Sequence, residues 1–394
     1  MKNYLDSRKG KEVKPVVAIC YDFDKTLSPD NMQAQGYIQS VGYDVTDDFW
    51  TKSNGLAIDN EMDQNLAYMY LMITEADGQL VVNKKNLQEY GAKVQLFPGV
   101  NEWFERINAY GEEKGVIVEH YIISSGLKEM IEGTALAKKG VFERIYASSF
   151  FYNEKGAAKW PAQVVNYTNK TQFLFRIEKG TLDINDPGVN DSFDDDEIRV
   201  PFRNMIYIGD SDTDVPCMKL VNSYGGHSVA VYNPATKDKT LAYKMMREKR
   251  IRYYAAADYS EGKDLDLLVK NIIDRTVYNE NLEDIYYAQL SEQRKNDASQ
   301  SEEERVKGEL TVALENSRSY ATTHIVISKM HEISSWTKTE KEELFRIALE
   351  NSQVSGILCD VDVRTFFEGL IKKLKTQSEN AKKIKEIITR KDSI

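Results

Sequence analysis

At 394 residues, 41% hydrophobic and 29% charged, the chain is long enough for two or three domains and apolar enough to give each a core. A net charge of −10 argues against a surface that holds nucleic acid or anionic lipid by bulk electrostatics. The cysteines, Cys20, Cys217 and Cys359, stand far apart with no CxxC pair, which argues against a zinc ribbon or disulfide framework and fits a reducing compartment.

The opening MKNYLDSRKGKEVKP is polar and lacks the apolar core of a secretory signal. No stretch approaches the roughly 20 apolar residues of a spanning helix, so a cytoplasmic protein with no membrane contact is expected. The first element is VVAICY, residues 16–21, a short β-branched apolar run that reads as a buried parallel strand. A long insert follows, with helical spacing over 33–41, 47–53 and 62–75; it is too large for a strand-to-helix loop and is expected to form a helical cap over 30–95. Strand-like runs recur at 116–123, 205–208 and 228–231, separated by helical stretches such as 100–110 and 128–139. Strands alternating with helices predict an α/β fold, a Rossmann-like doubly wound parallel sheet built from 1–29 and 96–274. The acidic, turn-rich segment 183–197 is expected to be a mobile surface loop. After Asp274 the composition changes: 275–306 reads as a linker, its polar stretch 290–304 a spacer or a solvated helix. Residues 307–394 regain amphipathic spacing over 307–331, 339–350 and 363–375 and form a C-terminal helical module.

Chemistry concentrates at the ends of two predicted strands. Asp22-Phe23-Asp24-Lys25-Thr26-Leu27 leaves the first strand directly, where open α/β sheets place their ligands. Two carboxylates spaced by one residue can share one pocket, one as a nucleophile that becomes phosphorylated, the other as acid and base. Gly209-Asp210-Ser211-Asp212-Thr213-Asp214 leaves the 205–208 strand in the same way. Magnesium prefers hard oxygen ligands, and Asp22, Asp210 and a substrate phosphate would supply them, with Asp214 in support. An acidic turn capping the helix near Val215 is compatible with that role. In the C-terminal module, His324 and His331 lie seven residues apart, a spacing that favours a hydrogen-bonded helix face over metal ligation. Asp360 and Asp362 read as a helix start.

DFDKTL resembles the first motif of the haloacid dehalogenase superfamily, and GDSDTD its fourth. Leu96-Phe97-Pro98-Gly99-Val100 resembles the return from an inserted helical cap in phosphoserine phosphatase-like members. The resemblance covers about 16–269. It implies that Asp22 is the nucleophile, that Asp24 is the acid/base, and that the Asp24 main-chain carbonyl joins Asp22, Asp210 and Asp214 around Mg2+. It also implies a Ser at the end of a hydrophobic strand that holds the phosphoryl group. Ser124 fits that place, with Ser125 adjacent and Gly126 following. A Lys that balances phosphate charge is implied as well; Lys170 is the choice, with Lys155 and Lys159 as alternatives.

The expected function is therefore Mg2+-dependent hydrolysis of a small phosphate monoester through an aspartyl-phosphate at Asp22, with the cap excluding water and selecting substrate. The alternative is a regulatory or sensor protein that binds a phosphorylated ligand or partner with little turnover. The C-terminal helices are expected to mediate oligomerisation or docking of a protein partner.

Overall fold

β1 (Val16–Tyr21) is buried along its whole length because its side chains serve two cores. Val17, Ile19 and Tyr21 point into one hydrophobic cluster, and Val16, Ala18 and Cys20 into the other. That is why the sequence reads as a continuous apolar run rather than an alternating one. The computed structural model describes residues 4–299, 302–374 and 376–390. Among them, seven strands form one sheet in the order β4-β3-β2-β1-β5-β6-β7. The others are β2 (Ile117–Leu127), β3 (Arg144–Tyr152), β4 (Ala158–Gln163), β5 (Met205–Gly209), β6 (His227–Tyr232) and β7 (Tyr253–Ala256). All neighbouring pairs are parallel except β3 with β4, a hairpin that ends one edge. From β1 the chain winds one way through β2 and β3, then returns to the other side through β5, β6 and β7. The β1/β5 boundary is therefore the point where strand order reverses, and a crevice opens beyond the carboxyl ends of those two strands.

Between β1 and β2 lie α1 (Tyr37–Ser40), α2 (Thr46–Asp59), α3 (Gln64–Glu75) and α4 (Lys84–Gly91), the inserted helices anticipated over 30–95. Asp63 starts α3 by accepting from the Asn65 and Leu66 amides, and Asn83 starts α4 by accepting from Asn86. Tyr37, Phe49, Met69 and Met72 of this insert belong to the same cluster as Val17 and Ile19 of β1, so the cap shares the core of the sheet. α5 (Val100–Glu113), α6 (Lys128–Gly133), α7 (Ala135–Lys138), α8 (Thr171–Lys179), α9 (Val215–Ser223) and α10 (Thr240–Arg247) complete the helical layers.

Two expectations need correction. The acidic segment 183–197 is anchored in its first half: Arg176 donates to the carbonyls of Asp183, Ile184 and Asp186 at 2.7, 2.8 and 3.0 Å. The buried Asp186 carboxylate pairs with Arg8 at 2.6 Å. The boundary after Asp274 also moves, because α11 (Asp264–Ser299) runs 36 residues without a break. The chain divides into Met1–Asp284 and Ile285–Ile394, inside that helix. Leu265, Val269, Ile272 and Ile273 bury its beginning, so a polar composition further on changes its exposure and not its helicity.

The second unit contains α12 (Glu302–Glu315), α13 (Tyr320–His331), α14 (Lys338–Glu350), α15 (Ser352–Gly356), α16 (Val361–Lys372) and α17 (Glu379–Arg390) around its own core, including Leu314, Ile327, Phe345 and Phe367. Thr337 and Glu340 cap α14 reciprocally, the Glu340 amide donating to Thr337 Oγ1 and the Thr337 amide to Glu340 Oε2. His324 lies 2.7 Å from Asp362 and His331 contacts the Asp362 carbonyl, a hydrogen-bonded helix face, while Asp360 is the N-cap residue of α16. Parts of three expected segments, residues 1–3, 300–301, 375 and 391–394, lie outside the described residues. Among the described residues, no helix is long and apolar enough to cross a membrane.

Candidate active site

The turn after β1 is wound around a single carbonyl. The Asp22 amide still pairs with β5, donating to the Ile208 carbonyl at 3.0 Å, and the amides of Thr26, Leu27 and Ser28 then converge on the Phe23 carbonyl. Lys25 takes a left-handed φ of 57°, uncommon for a residue with a side chain, and the chain reverses there. The reversal leaves Asp22 at the strand end and carries Asp24 outward, where its Oδ1 accepts from the Met32 amide at 2.8 Å. Gly126 lies against it: a Cβ there would sit 2.8 Å from Asp24 Oδ2 and 2.6 Å from the Met32 methyl, so a larger residue would displace the carboxylate.

The second acidic turn follows β5. A Cβ on Gly209 would lie 2.5 Å from Asp214 Oδ2, so this glycine lets the turn fold its last carboxylate back over the strand. Asp214 is fully buried. Its Oδ1 accepts from Lys170 Nζ at 2.7 Å and from the Tyr207 hydroxyl at 2.9 Å. Lys170, at the start of α8, is also fully buried, and its Nζ stands 3.3 Å from Asp22 Oδ1. That contact is not aligned as a hydrogen bond, and Asp22 Oδ1 is a buried oxygen without a hydrogen-bond partner among the described residues. Lys155 and Lys159 are exposed in the β3–β4 hairpin; Lys170 is the lysine brought to Asp22.

β2 supplies the third side. Its pairing with β3 shifts register between Ser124 and Leu127, a bulge that turns Ser125 and Gly126 out of the ladder beside the acidic turns. Ser124 is fully buried and its Oγ accepts from the Gly126 amide at 3.1 Å. The Ser125 carbonyl accepts from the Tyr68 hydroxyl of α3 at 2.7 Å and from Ser148 at 3.1 Å.

A cavity of about 470 Å³ opens beside these groups. Asp22, Asp24, Ser124, Ser125, Gly126 and Asp210 form its inner end, while Met62, Asp63, Gln64 and Asn65 face it from the cap and Asn166 and Tyr167 from the segment before Lys170. Two bonds tie the last two sides together: Asn166 Nδ2 donates to Asp63 Oδ2 at 2.9 Å, and Asn65 Nδ2 to the Val165 carbonyl at 3.0 Å. None of these rim residues was named from the sequence. Asp63 before an apolar helix carries an N-cap signal, but nothing local in NYTN, residues 166–169, shows that it meets that cap.

Charge is crowded at the inner end. Burial pushes Asp22 up to about 6, with Lys170 pulling it down and Asp214 pushing it up. Burial and then the Asp22 charge push Asp24 up to about 8. Asp210 is raised by burial and by Asp214 and Asp22. Burial alone would lower Lys170, but Asp214 and Asp22 outweigh it and hold the ammonium charged. One oxygen each from Asp22, Asp210 and Asp214 lie within 4.8 Å of one another. A buried oxygen without a donor and several carboxylates facing one ammonium fit a hard divalent cation, which would discharge the repulsion that raises these acids. The Asp24 side chain stands outside that triad, so a share in cation binding would fall to its main-chain carbonyl.

The profile of haloacid dehalogenase-like hydrolases matches residues 19–219, from β1 into α9, and so includes both acidic turns and the bulge of β2. An "uncharacterized protein" of Borreliella burgdorferi is 27% identical over 284 residues, 64% of this chain and 95% of that protein. Among solved structures, a family hydrolase from Salmonella enterica serovar Typhi superposes with a TM-score of 0.44 at 18% identity, over 66% of this chain and 73% of that one. A probable phosphoserine phosphatase from Vibrio cholerae superposes at 0.43 and 14% identity, over 68% and 67%. With the profile spanning half its length, this chain belongs to the haloacid dehalogenase-like hydrolases.

Proposed function

We propose that this hydrolase is a Mg2+-dependent phosphatase that cleaves a phosphate monoester through an aspartyl-phosphate at Asp22. The observation that carries the reading is the convergence of Asp22, Asp24, Ser124 and Asp210, from separate elements, on the inner end of one cavity, with Lys170 buried 3.3 Å from Asp22. An Asp22 oxygen attacks phosphorus as the bond to the alcohol oxygen breaks, and Asp24 gives its proton to that leaving oxygen. Asp24 then takes a proton from a water that attacks the phosphorus of the acyl phosphate, which restores Asp22 and frees phosphate. Ser124 and Ser125, with Gly126 beside them, orient the phosphoryl oxygens, and Lys170 balances charge between them and Asp22. Asp22, Asp210, Asp214 and the Asp24 carbonyl are the proposed ligands of Mg2+, which when bound supplies positive charge to the transferring phosphoryl group.

The alternative of a phosphate-binding sensor with little turnover finds its support in the second helical unit, which contributes no described residue to this cavity. Turnover separates the two. The full chain should release phosphate from a generic aryl phosphate with Mg2+ and stop on chelation. Asp210→Ala should move the Mg2+ titration to higher concentration, and an unchanged titration curve would remove Asp210 from the metal site.

A further inference from the structure

We infer that the ester cleaved here carries an uncharged, hydroxyl-rich alcohol, a sugar or a nucleoside, rather than an amino-acid or aminoalkyl group. This rests on the phosphatase reading and adds a substrate class to it. The argument comes from which rim groups remain unsatisfied. Asp63 has three of its roughly four acceptor sites filled: Oδ1 accepts from the Asn65 and Leu66 amides at 2.9 and 3.1 Å, and Oδ2 from Asn166 at 2.9 Å. A substrate ammonium would compete with three donors already in place, two of them amides that start α3, and a substrate carboxylate or second phosphate would face acceptor oxygens there instead of donors.

No cation among the described residues lines the rim to receive an anionic group. Among the described residues lining the cavity, Lys25 is the one cation, and it belongs to the turn after β1, next to Asp24, at the phosphate end. The groups left open at the rim are neutral. Gln64 makes no side-chain hydrogen bond among the described residues and is exposed to the cavity, and Asn65 has committed only its amide nitrogen. Tyr167, 56% exposed, presents to the cavity a hydroxyl and a ring face that no other described residue engages. Amides and a phenol that both donate and accept match hydroxyl groups, and the ring offers a face to a sugar or base. A cavity of about 470 Å³ has room for such a group beside the phosphate.

Two measurements test this separately from the phosphatase reading. Steady-state kinetics on the full chain should give a hexose monophosphate or a nucleoside monophosphate at least about ten-fold higher kcat/KM than phosphoserine or phosphoethanolamine, about the worth of one lost charge–dipole match. The hexose and nucleotide arms decide between the two sources. Calorimetric titration of Asp22→Asn with the same four esters and Mg2+ reads the order of affinity without turnover, so failure of all four to be hydrolysed would sink the phosphatase and leave this inference to the binding order. Gln64→Ala and Tyr167→Ala should each weaken the favoured ester about five-fold. Preference for phosphoserine or phosphoethanolamine would overturn the inference, and so would an equal weakening of inorganic phosphate, which does not reach the rim.

Discussion

The two units of this protein handle charge in opposite ways. In Met1–Asp284 the decisive charges are buried: Lys170 and Asp214 are fully enclosed, and Asp22 keeps an oxygen with no hydrogen-bond donor. In Ile285–Ile394 most of the described charges lie at the surface and many pair within a turn or two of helix, Arg346 with Glu343 and Glu350, and Arg305 with Glu302 and Glu309. Of the two buried lysines described there, Lys307 and Lys341, the first reaches the part-exposed Glu303 and Glu340. Surface pairs of that kind add little to stability and hold solubility and helix geometry. Buried pairs are different, because desolvating them is expensive and a packed apolar core would serve stability as well or better. Among the described residues, ion pairs enclosed on both sides occur in the first unit and not in the second, and the enclosed Lys170, Asp214 and Asp22 mark where the molecule has given up stability for chemistry.

Lys170→Met breaks this comparison most severely. It leaves Asp214 and Asp22 without their ammonium, and loss of one partner from a buried pair costs about 3–5 kcal/mol. We expect a clearly lower denaturation midpoint and a turnover at least about 100-fold down. Lys155→Met and Lys159→Met, at exposed positions of the hairpin, should change neither. Equal effects from all three substitutions would show that burial of Lys170 has no special consequence.

A smaller effect isolates a buried ion pair outside the active site. Glu119 of β2 is enclosed, and burial alone would raise its pKa. Bonds from Arg199, Lys9 and Tyr121 outweigh burial and bring it down to about 2, from 4.5. Its folded-state pKa is depressed, so its contribution is present above about 4.5 and is lost as pH falls toward 2. The loss is on the order of 3 kcal/mol. Chemical denaturation between pH 6 and pH 3 should show a steeper decline for the native chain than for Glu119→Gln, and parallel curves would contradict the assignment.

The smallest expected effect belongs to the second unit. We propose that its helices serve self-association or a protein partner and not the reaction. A chain ending at Ser299, which keeps α11 whole, should hold kcat on an aryl phosphate within about two-fold. Light scattering should then report a changed assembly. A folded, soluble truncation that loses turnover would instead make the second unit part of catalysis.

How much of this was legible in the sequence depends on range. β1 and β5 were readable because each is an apolar run ending in a carboxylate-rich turn, and α2 and α3 because their spacing is local. β3, RIYASSFFY, was missed because its serines break the apolar run. The four-residue β7 is too short to carry a pattern. The contacts that close the cavity join residues far apart, Tyr68 to Ser125, Asn65 to Val165 and Asp63 to Asn166, and no local spacing encodes them. The choice of Lys170 over Lys155 and Lys159 was open in sequence because the acidic segment 183–197 lengthens the path to Asp210. The boundary at Asp284 was hidden because α11 changes from buried to solvated without changing its helical period.

The central claim is that Asp22 becomes phosphorylated during turnover. Acid quenching of the full chain during hydrolysis of a radiolabelled phosphate ester with Mg2+, followed by peptide mapping, tests it directly. We predict alkali-labile label on the peptide containing Asp22, and neither label nor turnover in Asp22→Asn. Sustained turnover by Asp22→Asn, or label on a different peptide of the native chain, would contradict it.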